Sequence, residues 1–133
     1  MRKRVALRIL ILGCAVFCLL LCNGNISVYN SKSQCTDDGC SYDITVVANC
    51  FVIMDEEYFA EKLVSMCLDN SFKDVQFSYD QNGYPVSLYM TVFANELCYK
   101  LGIDEFKINI TQDVPYLYNL RDNPEQFVME IQF

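Results

Sequence analysis

The sequence predicts a single α+β domain behind an N-terminal export segment: a mostly antiparallel sheet of about five strands with one principal helix on one face. Three observations carry this reading. Between Ile44 and Phe133, apolar residues alternate with others in five separate runs, as in strands with one face buried. One stretch, 55–70, repeats its apolar residues at helical spacing instead. The chain also opens with a basic head and an uncharged apolar run, followed by polar sequence.

The head carries Arg2, Lys3, Arg4 and Arg8, and Ile9 to Leu21 carries no charge. That run is shorter than the roughly 20 residues of a relaxed membrane span. Residues 1–24 are therefore expected to be a signal peptide or a membrane anchor. Cys22 and Gly24 permit cleavage before Asn25. A retained anchor would place residues 5–21 in the membrane with the basic end in the cytoplasm. Lipid attachment to a cysteine is the third possible fate. Cys14, Cys18 and Cys22 fall every four residues, along one face of a helix. Small apolar residues tolerated in any signal sequence account for them, and a dimer seam or acylation stripe is the alternative.

Residues 25–42 are polar and rich in Asn, Ser and Asp, and are expected to be a linker. Within them Cys35 and Cys40 bracket an Asp-Gly turn signal, and export permits a disulfide between them. No second Cys pair and no His completes a tetrahedral metal set.

The domain is expected over residues 43–133. Ile44, Val46, Ala48, Cys50, Val52 and Met54 alternate as a first strand with apolar residues on both faces. Asp55 suits a helix N-cap, with Glu56 and Glu57 at the positive end of the helix dipole. Phe59, Leu63, Met66 and Cys67 form the helix stripe, widened by Ala60 and Val64. Val75, Phe77 and Tyr79, then Asn82-Gly83, then Val86, Leu88, Met90 and Val92 read as a β-hairpin. Ser78, Asp80, Asn82 and Gly83 also look like half of a calcium loop, but Tyr89 occupies the position that needs Glu. Residues 95–102 read as a turn or a single helical turn. Phe106, Ile108 and Ile110 form the next strand, 112–124 a long connection, and Phe127, Met129, Ile131 and Phe133 the last strand. The expected element order is β-α-β-β-β-β.

Five cysteines follow the export segment, an odd number, so at least one is outside any intramolecular pairing. Cys50 and Cys67 are expected in the core, bonded or merely packed, and Cys98 has no assignment. Composition then limits function. The chain of 133 residues has no His, which removes the commonest general base and metal ligand. It also has no Walker, dinucleotide or G-x-S-x-G motif. The formal charge is −7; without the four N-terminal cations, six basic residues face seventeen acidic ones, or −11. That balance argues against nucleic acid. Asp37-Asp38, Asp55-Glu57 and Asp104-Glu105 are candidate carboxylate pairs only in being near in sequence, and they read as a solvated linker, a helix N-terminal turn and a solvated loop. Tyr89 is expected on the outer sheet face. No catalytic, cofactor or metal residue is expected. The expected function is a non-catalytic protein-interaction module outside the cytoplasm. An inhibitor or immunity-type protein against a basic partner is the alternative, with a His-free enzyme using carboxylates or a free thiol behind it.

Overall fold

The computed structural model describes residues 8–9, 11–14 and 25–133. Most of the expected export segment, including Cys18 and Cys22, lies outside these. Among the described residues no helix is long and apolar enough to cross a membrane.

The domain is a five-stranded mixed sheet in the order β1-β2-β3-β4-β5. Strands β1 (Ser27–Thr36) and β2 (Gly39–Val47) form an antiparallel hairpin. Helix α1 (Glu56–Leu68) and the short α2 (Tyr79–Asn82) lie in the crossover to β3 (Ser87–Phe93), which pairs parallel with β2. After α3 (Glu96–Leu101), β4 (Phe106–Gln112) and β5 (Phe127–Gln132) complete the sheet by antiparallel pairing.

This corrects the expected order in two places. Residues 25–42, read as a linker, supply β1 and the start of β2. Every residue of β1 is at least partly exposed, so this edge strand has no apolar face to betray it in sequence. Conversely, the expected strand over 75–80 does not join the sheet. Asn70 takes the place of a strand partner: its amide nitrogen donates to the Phe77 carbonyl at 2.9 Å, and its oxygen accepts from the Phe77 N–H at 2.8 Å. Val75, Phe77 and Tyr79 still pack against the core, which explains their alternation. Asn82-Gly83 ends α2 instead of turning a hairpin. Gly83, at φ 72°, donates its N–H to the Tyr79 carbonyl. The first strand also stops early, at Val47, and Asn49 follows in the left-handed region at φ 55°.

Helix α1 forms as its sequence suggests. The Asp55 carboxylate accepts from the Tyr58 N–H at 2.9 Å, and Ala60, Leu63 and Cys67 are the buried stripe. Its partners are the inward residues of the sheet: Tyr42, Ile44 and Val46 of β2, Leu88, Met90 and Val92 of β3, and Phe106, Ile108 and Ile110 of β4. The opposite face is uncovered over most of its area. Helix α3 covers one end of it, where Tyr99 meets Tyr29 (ring centroids 4.7 Å) and Phe93 (5.3 Å). Val47 and Phe93 are buried on that side as a result.

Candidate functional site

The sheet has two dissimilar ends. The N-terminus of β1, the C-terminal ends of β2, β3 and β5 and the whole of α3 share one end, called proximal here because the chain enters there. The distal end holds the β1–β2 turn, the segment before β3 and the β4–β5 connection.

A cleft of about 490 Å³ opens at the distal end. One wall is the turn Thr36–Gly39 with the Cys35–Cys40 disulfide at its base, the bond expected from sequence. The other walls are Asn82–Tyr84 and Tyr116–Asn119. Local bonds hold all three. The Asp38 N–H donates to the Thr36 hydroxyl at 3.3 Å, and the Val86 N–H to the Cys40 carbonyl at 2.9 Å. The Gln112 amide donates to the Val86 and Tyr118 carbonyls (3.0 and 2.9 Å) and accepts from the Tyr118 N–H at 2.9 Å. This one side chain staples the loop wall to the segment before β3. The Leu120 N–H adds a bond to the Pro85 carbonyl at 2.8 Å.

The chemistry of the distal end is acidic and aromatic. Its loops carry Asp37, Asp38, Asp80, Asp113, Asp122 and Glu125, against one cation, Arg121. Arg121 is already engaged, 3.0 Å from the Asp69 carboxylate and 5.6 Å from the centre of the Tyr84 ring. Tyr84, Tyr116 and Tyr118 line the cleft. Tyrosine beside carboxylate suits recognition of a cationic protein surface: the ring supplies rigid apolar area and the acids supply long-range attraction.

Tyr116 also reaches the uncovered sheet face, where it borders a second concavity with Tyr89 and Ser87. Tyr89 stands at the centre of that face, as its alternation with Leu88 and Met90 requires. The strand registers set it in a row across all five strands: Lys32, Asp43, Tyr89, Asn109, Glu130. The row holds two acids and one lysine, and Lys107 on the same face balances the second acid, so the acidic excess lies off this face, at both ends of the sheet.

The remaining candidates are scattered. Asp37-Asp38 is distal, whereas Asp55-Glu57 and Asp104-Glu105 lie at the proximal end, so the three carboxylate pairs do not converge. Among the described residues no group of three or more His, Cys, Asp or Glu is arranged to hold a metal ion. Cys50 and Cys67 are buried in one core cluster. Cys98 is half-buried in α3, its N–H donated to the capping Asn95 side chain at 3.0 Å.

Cys67 belongs to an aromatic nest with Tyr42, Phe77 and Tyr79. The Tyr79 hydroxyl donates to the Cys67 carbonyl at 2.7 Å and lies 3.4 Å from its sulfur. Burial pushes the Cys67 thiol up to about 11, against an ordinary 9.0. The thiolate is the nucleophilic form, so Cys67 is inert near neutral pH. Burial likewise raises Tyr79 and Tyr42, with the neighbouring Cys67 acting in the same direction. The Tyr42 hydroxyl is buried with no hydrogen-bond partner among the described residues, an arrangement that costs about 1–3 kcal/mol.

These shifts predict alkaline sensitivity. Below pH 9 the Cys67 thiol is protonated in both folded and unfolded chains and favours neither. Between pH 9 and 11 the unfolded chain loses this proton and the folded one keeps it, so stability falls, by on the order of 2 kcal/mol. Tyr42 and Tyr79 add to the loss above their ordinary value of 10.0. Urea unfolding from pH 8 to 11 is expected to show this decline, and Cys67→Val to flatten its first part. An identical decline in the Cys67→Val chain would contradict it.

No protein-family model matches the chain, and no curated protein and no solved structure matches it either.

Proposed function

We propose that this chain is a non-catalytic interaction module outside the cytoplasm, and that it binds a basic protein partner through the distal cleft. The observation that carries the reading is the gathering of carboxylates and tyrosines around one braced cleft, at the end farthest from where the chain enters the domain. Location is supported by the Cys35–Cys40 disulfide, which persists in oxidising compartments, and by the export pattern of the first 21 residues. Partner class is supported by charge: six acidic residues and one engaged arginine in the distal loops produce a negative field that steers cationic surfaces.

The test is site-specific photo-crosslinking in cells that make the protein. A photoreactive phenylalanine at Tyr116 is expected to yield a discrete protein adduct, and the same probe at proximal Tyr58 is expected to yield none. Equal adduct patterns at the two positions would overturn the reading.

A further inference from the structure

The proximal end carries an apolar rim that the interaction reading leaves unexplained. Phe51 and Met54 in the β2–α1 loop, Leu97 and Leu101 on α3, Ile103 beyond it and Phe133 after β5 are each 59–86% exposed. These large side chains come from three separate segments, 51–54, 97–103 and Phe133, yet share one end of the sheet, while the distal connection exposes only Val114 and Leu117 among its aliphatics.

The rim is a built surface. The Ala48 N–H donates to the Phe93 carbonyl at 2.8 Å, and the Cys50 N–H to the Ala94 carbonyl at 2.9 Å. The Asn95 amide reaches the Cys50 carbonyl at 3.4 Å. These bonds dock the Phe51 loop on the base of α3. The Asn49 amide donates to the Ser27 hydroxyl at 2.9 Å and to the Asn25 carbonyl. The same loop is thereby tied to the point where the chain leads back toward Ile9–Leu21.

Chain length fixes what faces this rim. Six residue steps separate Leu21 from Ser27, the first residue of β1, and at ~3.3–3.6 Å each they span at most about 22 Å. With the apolar run held in a bilayer, the proximal end must lie within that distance of the lipid.

We infer that the proximal rim of Phe51, Met54, Leu97, Leu101, Ile103 and Phe133 is a membrane-contacting surface, seating the domain on a lipid bilayer with the distal cleft pointing away from it. Glu56, Glu57, Glu96, Asp104 and Glu105 also stand at this end, with Lys100 engaged by Glu96 at 2.8 Å. A zwitterionic bilayer, which has no net charge, does not repel these acids, whereas an anionic one would. Apolar side chains at such a surface enter the headgroup–acyl boundary by about 5–10 Å. The inference shares with the proposed function only the export reading, and adds to it the retention of the N-terminal segment as an anchor.

The chain has no Trp, so single substitutions give clean fluorescence reporters. Full-length Phe51→Trp, Leu101→Trp and Tyr116→Trp chains would be reconstituted in phosphatidylcholine vesicles with and without a doxyl quencher on the upper acyl chain. Comparison with the unlabelled vesicles isolates lipid contact. Emission from the Phe51→Trp and Leu101→Trp chains is expected to fall at least about twofold, and that from the Tyr116→Trp chain to stay unchanged, given that insertion depth. Equal quenching at all three positions, or none at the proximal two in chains that float with the vesicles, overturns the orientation. A blue shift without quenching, as burial against a second copy produces, overturns it as well. Failure of the full chain to float removes the anchor and with it this inference, while adduct formation at Tyr116 would still report on the cleft.

Discussion

Phe106→Ala is expected to destabilise the domain by about 3–5 kcal/mol, the usual cost of truncating a fully buried aromatic. Phe106 opens β4 with no exposed surface and is among the largest fully buried side chains. It packs in the sheet–helix core, and its ring centre is 6.3 Å from that of Phe133. A domain of this size has a total stability of about 5–15 kcal/mol, so the variant would lose a large share of it and melt at least about 10 °C lower. Phe133→Ala is the control, because that ring is 86% exposed and its loss should cost no more than about 0.5 kcal/mol. Thermal unfolding of both variants checks the pair. Equal losses would mean that the core does not sit where β4 meets the helix.

Gly39→Ala is the second large effect, and it acts on the cleft. Gly39 has φ 145°, and a Cβ there would lie 2.4 Å from Cγ1 of Val86, well inside contact distance. Backbone strain and overpacking together are expected to cost about 2–4 kcal/mol. The residue follows the Asp37-Asp38 turn and precedes Cys40, so relief by movement would displace the acidic wall. Val86→Ala removes the colliding methyls. In that background Gly39→Ala should cost measurably less, leaving mainly the φ penalty, and a double-mutant cycle by urea unfolding reads the difference. Strict additivity would show that Val86 does not limit the turn.

The helix and three of the strands were legible because their burial is periodic. Ala60, Leu63 and Cys67 repeat as a helix does, and β3, β4 and β5 alternate in burial along their length. The errors have a common physical origin. Edge strand β1 is exposed along both faces, and SVYNSKSQCT has the composition of a linker. Its signal lay in the Cys35 and Cys40 spacing, which placed a turn between them; two residues paired directly across a hairpin continue as strands on either side. The segment 75–80 failed in the opposite sense. It has a strand's alternation because it lies extended on the core, yet its backbone bonds go to the Asn70 side chain. Once β1 holds one edge of β2, β3 takes the other, and the crossover makes that pair parallel.

The cleft was less legible than the fold. Asp37-Asp38 read as solvated linker, and Tyr116 to Tyr118 as an unassigned connection, because nothing local joins residues some eighty positions apart. Gln112 brings them to one end by stapling the loop to the β3 entry. A glutamine at the end of a strand gives no sequence signal of that role. The same topology sends the apolar rim to the opposite end, and we propose that this end meets lipid while the distal end meets a cationic protein.

The most direct test of this account is the yield of the Tyr116 photo-adduct with and without charge reversal at Asp37 and Asp38. Both residues are exposed, so Asp37→Lys with Asp38→Lys leaves the core intact, which circular dichroism would verify. If the distal cleft captures a basic partner, the paired reversal lowers the yield about tenfold, and raising the ionic strength lowers the wild-type yield in parallel. An adduct whose yield is indifferent to both the reversal and the salt would contradict the account.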